Sequence, residues 1–173
     1  MVEPDNRQPL TRIEDIGRDF FSDYETALLC GFGLDIAETN LGAMAQQVGK
    51  KVVYLRKGIF SIKNRLLRLE GSHNRDFLRF SFLKAFDEGL VDVPKLPIEP
   101  NSALTVEEKK IMAFLSLGYS NNYIGQMQSI HWRRVDNNIK DICEKFGTIT
   151  IYPVIAQGRV EMRGALLQQQ AGS

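Results

Sequence analysis

The chain has 173 residues, 43% of them hydrophobic and 25% charged, which supports one ordinary folded domain or two small ones and excludes wholesale disorder. Its 22 Lys and Arg against 21 Asp and Glu leave a formal net charge of +1, which gives no global argument for a polyanionic partner. Only two cysteines occur, Cys30 and Cys143, far apart and without ligand-spaced neighbours, so neither a disulfide scaffold nor a zinc site is indicated.

Residues 1–21 carry acids throughout and no apolar leader, and no run reaches ~18 uninterrupted apolar residues. The expectation is a soluble cytoplasmic protein without a membrane span. Thr11-x-x-Glu14 reads as a capping box, with Leu10, Ile13, Ile16 and Phe20 on a shared face, and predicts a short helical arm over this segment. Ser22-Asp-Tyr-Glu25 is a second capping box and starts a helix over 23–33. Helices over 41–47 and 51–67 follow, the last with Leu55, Ile59, Ile62 and Leu66 at steps that keep them on one stripe. Residues 74–88 form a phenylalanine-rich helix stopped by Gly89. Residues 91–103 contain three prolines and read as a linker. Thr105-Val-Glu-Glu108 is a third capping box, leading helices over 106–117, 121–127, 131–146 and roughly 150–157, where Pro153 is tolerable only in a first turn. The β-branched stretch 148–152 leaves a strand open there, and the tail 168–173 reads as disordered.

Two patterns organise these elements. First, charge is unevenly spread: residues 1–49 carry a net −6, whereas residues 50–68 hold Lys50, Lys51, Arg56, Lys57, Lys63, Arg65 and Arg68 with no acid, a net +7. Such a run is either a solvated helix face or a polyanion-binding surface. Second, residues 44–66 lie on residues 124–146 at an offset of 80 without a gap, pairing Met44 with Ile124, Leu55 with Val135, Ile59 with Ile139, Ile62 with Ile142 and Leu66 with Phe146. The capped helices in front match at an offset of 83, which places a three-residue insertion around 33–39. Chance overlap of generic amphipathic helices is the alternative, but the shared order of capped helix, turn, short helix, turn and long helix favours a repeat.

The second repeat resembles the helix-turn-helix domain of LuxR-type (GerE-type) bacterial transcription regulators. Leu104-Thr105 with Glu108, Gly118-Tyr119-Ser120-Asn121, Ile124, Val135, Ile142 and Lys145-Phe146-Gly147 fall where that family has its signatures. Met44-Ala45, Val48-Gly49 and Leu55 extend the likeness more weakly to the first repeat, which lacks the Gly-x-Ser-Asn entry. The resemblance implies an all-α chain of two tandem four-helix helix-turn-helix domains of LuxR type. An N-terminal arm (1–21) would precede a first domain (22–90), a linker (91–103), a second domain (104–167) and the tail. It implies a third helix in the DNA major groove and dimer contacts through the fourth. Here the two fourth helices would pair inside one chain, spanning half-sites about 34 Å apart. Departures are Gly125 and Gln128 in the second helix, His131 at the position of a capping Ser, and Asp136 on the expected base-facing surface.

With the apolar stripe turned inward, the first repeat offers DNA Lys50, Lys51, Tyr54, Arg56, Lys57, Ser61 and Arg65. Lys50 and Lys51 suit phosphate, and Arg56 and Lys57 sit at the family's base-reading positions. The second repeat offers Trp132, Arg133, Arg134, Asn137 and Lys140, in a helix of net charge only +1. The first repeat is therefore the better DNA candidate although the second has the better signature. Trp132 has a second reading as a packing residue against the first helix of its repeat. His73 and His131 read as exposed polar residues, and Asp87-Glu88 as a solvated helix end. No convergent nucleophile, base, metal set or phosphate-cradling loop is found, so neither enzyme activity nor a cofactor is expected. The expected function is DNA-binding transcription regulation, with duplex DNA as partner and a homodimer or intramolecular pseudo-dimer as assembly. The alternative is a protein-interaction module, an antiactivator or RNA polymerase-binding adaptor that keeps the fold without binding DNA.

Overall fold

The computed structural model describes residues 12–36, 40–96 and 103–171. Over these residues the chain is all-α. Its helices are α1 (Asp23–Gly33), α2 (Leu41–Gln47), α3 (Val52–Leu66), α4 (Phe77–Asp87), α5 (Val106–Leu115), α6 (Asn121–Gln128), α7 (Trp132–Phe146) and α8 (Tyr152–Ala171). The strand left open at 148–152 does not form: three bend residues there lead straight into α8, with Pro153 in its first turn.

The halves replay one another closely. Both α3 and α7 span fifteen residues, and Val52–Leu66 maps onto Trp132–Phe146 at an offset of 80 at both ends. Asn40 caps α2 through Ala43 N–H and Ser120 caps α6 through Tyr123 N–H, again 80 apart. The turns leading to α3 and α7 both use a left-handed residue, Gly49 at φ 64° and Ser129 at φ 55°.

The capping boxes carry a further shared feature. Ser22 and Glu25 close the box at the start of α1, and Thr105 and Glu108 close it at the start of α5. Each glutamate is buried, and each meets a cation from the end of the third helix of its own half. Arg65 Nη1 lies 2.6 Å from Glu25 Oε2, and Lys145 Nζ lies 2.7 Å from both oxygens of Glu108. The same cations donate to carbonyls at equivalent positions two residues before the cap, Arg65 to Phe20 and Lys145 to Ala103. A buried carboxylate is tolerated only when paired and hydrogen-bonded, so this motif fixes the crossing of first and third helices in both halves. The first pair of helices approaches closely at Gly58, where a Cβ would stand 2.8 Å from the Tyr24 carbonyl oxygen.

The halves are joined by reciprocal contacts. The fourth helices pack together, with Tyr152 of α8 stacked on Phe32 at 4.5 Å and edge-on to Phe82 at 4.9 Å. Before α4, Asp76 N–H donates to Gly118 O at 3.0 Å, Arg75 to Leu117 O at 2.6 Å, and within α4 Arg79 donates to Tyr119 O at 2.6 Å. Before α8, Asp35 accepts from Ile149 N–H, Thr150 N–H and the Thr150 hydroxyl at 2.7–3.0 Å. Asp35 and Gly118 are themselves equivalent at the offset of 83 and both take left-handed conformations, φ 57° and φ 80°. The start of each fourth helix therefore grips the turn after the first helix of the other half. At Gly118 a side chain would also meet Phe80 at 3.0 Å.

Four expectations are corrected. The N-terminal arm forms two short 3-10 turns, Ile13–Asp15 and Arg18–Phe20, because Gly17 between them is extended; Ile13 and Ile16 are buried against the first half. Leu10 and the Thr11 cap lie outside the described residues. The phenylalanine-rich helix is shorter than 74–88: Asn74 ends a separate 3-10 turn at Ser72–Asn74, Arg75 and Asp76 are extended, and the helix runs only over Phe77–Asp87. Helix α8 continues far beyond 157 and reaches Ala171, so residues 168–171 of the expected disordered tail are helical. Ala, Leu and Gln are good helix formers, and Arg159 and Arg163 anchor the helix to Asp87 at 2.9 and 2.8 Å. That pairing also overturns the reading of Asp87 as solvated: its side chain is 7% exposed.

Replacing Glu25 with Ala removes half a capping box and a buried ion-pair partner, and is expected to destabilise the fold by about 2–4 kcal/mol. Urea unfolding monitored by circular dichroism checks this; a loss no larger than that of a typical surface substitution contradicts the structural role assigned to the pair.

Candidate nucleic-acid interface

Leu55, Gly58, Ile62 and Leu66 bury one side of α3, and with 100° per residue the opposite side presents Val53, Arg56, Lys57, Phe60 and Lys63, continued by Leu67 and Arg68 in the turn that follows the helix. All seven are exposed. Lys50 and Lys51 stand exposed at the helix start. Among the described residues no acid pairs with Lys50, Lys51, Arg56, Lys57, Lys63 or Arg68; Lys57 is placed 6.0 Å from the Tyr24 ring centroid. The exposed side is thus cationic without internal neutralisation.

The other candidates of the first repeat stand apart from this face. Arg65 is held inward by Glu25 and Phe20, its guanidinium 3.8 Å from the Phe20 ring centroid; it belongs to the helix-crossing motif and is withdrawn as a DNA contact. Tyr54 is half-buried and stacks on Tyr24 at 5.0 Å. Ser61 is half-buried at the edge of the face. Sequence reasoning counted Lys63 and Arg68 in the basic run without placing them on this side, and it missed Val53, Phe60 and Leu67. The signal was present, since they lie half a turn from the apolar stripe, but two apolar types and one aromatic do not announce themselves as outward-facing.

In the second half, the corresponding side of α7 carries Arg133, Asn137, Lys140, Asp141 and Glu144, all exposed, so two cations face two acids. Arg134 is clamped by Glu107 of α5 in a two-bonded pair at 2.8 and 2.6 Å, and Asn138 joins it at 3.0 Å. Hydrogen bonding from Arg134 holds the Glu107 carboxyl below its ordinary value, and Glu107 in turn raises Arg134. Arg134 is therefore engaged rather than offered outward. Asp136 accepts from Asn121, which also accepts from Arg79 at 3.2 Å. It is part of a network reaching across to α4, not an acid projecting from the outer face.

Trp132 is 42% exposed and is not part of the buried core. Its ring contacts His131 and Arg133, and it borders a shallow groove with Asn122, Gln126 and Ile130. His131 caps α7, its Nδ1 accepting from Arg133 N–H at 3.2 Å. Burial raises the thiols of Cys30 and Cys143, the latter to about 11, which keeps both protonated at neutral pH and disfavours thiolate chemistry. Among the described residues no His, Cys, Asp and Glu group of three has metal-binding geometry, and no helix is long and apolar enough to cross a membrane.

The geometry thus defines one outward helix rich in unneutralised cations and a second, equivalent helix of balanced charge. No family model, curated protein or solved structure matches the chain.

Glu108 links this surface to stability. Burial opposes its ionisation, yet hydrogen bonds from Lys145 and from the Thr105 amide and hydroxyl outweigh that and hold the carboxyl below its ordinary value of 4.5. A carboxyl lowered in the folded state contributes stability above its unfolded value and loses it as pH falls through the folded one. The melting temperature should therefore fall below about pH 4.5, and Glu108→Gln should start lower at pH 7 and fall less steeply. Parallel thermal melts from pH 7 to pH 3 check this; identical pH slopes for the two proteins contradict it.

Proposed function

We propose that the chain is a DNA-binding transcription regulator of bacterial LuxR-like type, two tandem helix-turn-helix domains in which α3 enters the major groove. The observation that carries this reading is the outer face of α3 and the turn after it, where Arg56, Lys57, Lys63 and Arg68, with Lys50 and Lys51 at the helix start, are exposed and meet no acid among the described residues. Affinity for duplex DNA arises mainly from neutralising phosphates, and a recognition helix reads bases with residues near its N-terminus. Lys50 and Lys51 suit phosphates; Arg56 and Lys57, in the first two turns, suit base edges. The succession of capped first helix, short second helix, tight left-handed turn and fifteen-residue third helix is the order that the family resemblance implies, and the packing of α4 on α8 supports a pseudo-dimer within one chain. In this reading α7 is a weaker or auxiliary DNA contact, because Arg134 is committed to Glu107.

A second reading, a module that binds RNA polymerase or another regulator, is favoured by the apolar residues Val53, Phe60 and Leu67 along the same face and by the mixed charges of α7.

Fluorescence anisotropy with duplex DNA at low and high salt tests the proposal. Binding should weaken steeply with salt, and replacing Lys50, Lys51, Arg56 and Lys57 with Gln should cost about 10³-fold or more at low salt and flatten the salt slope. Replacing Arg133 and Arg134 should cost about tenfold or less, with folding verified by circular dichroism because Arg134 bonds Glu107. Equal loss from both sets, or binding that ignores salt, contradicts the assignment.

A further inference from the structure

The outer face of α3 is not purely cationic. Phe60 is 70% exposed, Val53 51% and Leu67 54%, and they recur every seven residues, the spacing that returns a helix to the same side after two turns. Arg56 and Lys63 flank this line on one side, Lys57 and Arg68 on the other. Leaving a phenylalanine and two aliphatic side chains in water forfeits burial that most proteins exploit, so the line calls for a partner that is both anionic and locally apolar.

We infer that α3 reads thymine, with Phe60 and Val53 contacting the C5-methyl groups of A·T pairs in the major groove. The inference rests on the DNA reading of α3 and adds to it a base preference. The flanking cations select a polyanion and place its phosphates on either side of the apolar line. Between the phosphates, base pairs present donors and acceptors in the major groove, and the thymine methyl is the apolar group among them. Arg at Arg56 suits guanine, and its neighbour Lys57 suits phosphate or guanine; neither explains an aromatic ring between them. Phe60 and Val53 lie seven residues apart, about 10.5 Å along the axis at ~1.5 Å per residue, which is close to three steps of ~3.4 Å along a strand. The site therefore contains thymines about three steps apart.

The test compares one short A·T-rich duplex with a copy in which every thymine is deoxyuridine. This change removes methyl groups and leaves phosphate charge and hydrogen-bonding edges in place. The full chain should bind the uracil duplex roughly tenfold more weakly, about 1.4 kcal/mol, with the same salt slope. Phe60→Ala, at an exposed site that should leave the fold intact, should lose much of the preference, and Phe60→Ala with Val53→Ala should bind both duplexes alike, each with the wild-type salt slope. Equal, salt-sensitive affinity of the wild type for both duplexes overturns the inference and leaves the DNA reading standing, as does Phe60→Ala keeping the full preference. No binding to either duplex at low salt overturns both, and capture of an acidic amphipathic peptide in their place points to the protein-binding reading instead.

Discussion

Much of the architecture turns on a carboxylate that water cannot reach. Glu25 and Glu108 each sit at the start of a helix, close a reciprocal cap with a hydroxyl, and then accept a cation from the far end of another helix. Removing such a group from water is costly unless its oxygens are satisfied. Here the cap residue's backbone amide and the cation share the task, converging on Oε2 of Glu25 and on both oxygens of Glu108, and the cation bonds onward to a carbonyl of the segment leading into the cap. One side chain thereby joins three pieces of chain. The use of Arg in one half and Lys in the other shows what is required: a positive donor of the right reach, not a particular fork geometry. Arg65 adds a stacked Phe20 ring that Lys145 has no counterpart for.

The same scaffold carries two outer helices of opposite character. On α7, the position opposite the core is shared by Arg133 and Lys140 with Asp141 and Glu144, and Arg134 is drawn sideways to Glu107. In the first half, Tyr24 occupies the place corresponding to Glu107 and Tyr54 the place corresponding to Arg134. Tyr24 stacks on Tyr54 and lies below Lys57 instead. Exchange of an ion pair for a stacked tyrosine pair, together with Ser61 and Asn64 where α7 has Asp141 and Glu144, separates the charge-balanced third helix from the cationic one.

Much of this order was legible in the sequence. The capping boxes at 22–25 and 105–108, the limits of α2 and α3 and the offset of 80 follow from local rules about hydroxyls, glutamates and apolar spacing. What escaped depends on contacts between distant residues. Nothing local marks Asp87 as the anchor of Arg159 and Arg163, so α8 was cut short. Nothing local distinguishes Arg65, which turns inward, from Arg56, which does not, because both lie in the same basic run. Asp35 reads as a loop acid until its three donors from 149–150 are seen. On α3 the periodicity located the outer face correctly, but residue type argued against Phe60 and Val53 belonging to it.

The reciprocal grip between the halves has a consequence for assembly. Two identical subunits meeting through their fourth helices separate on dilution, and symmetry obliges them to present identical surfaces. Here the mates travel on one polypeptide, so their union does not depend on concentration, and each copy is free to drift. A unit of this kind has a front and a back: one arm charged, the other balanced, set at a fixed angle by Asp35 and the residues around Gly118. Its two outer helices are therefore not interchangeable, as those of a symmetric pair would be.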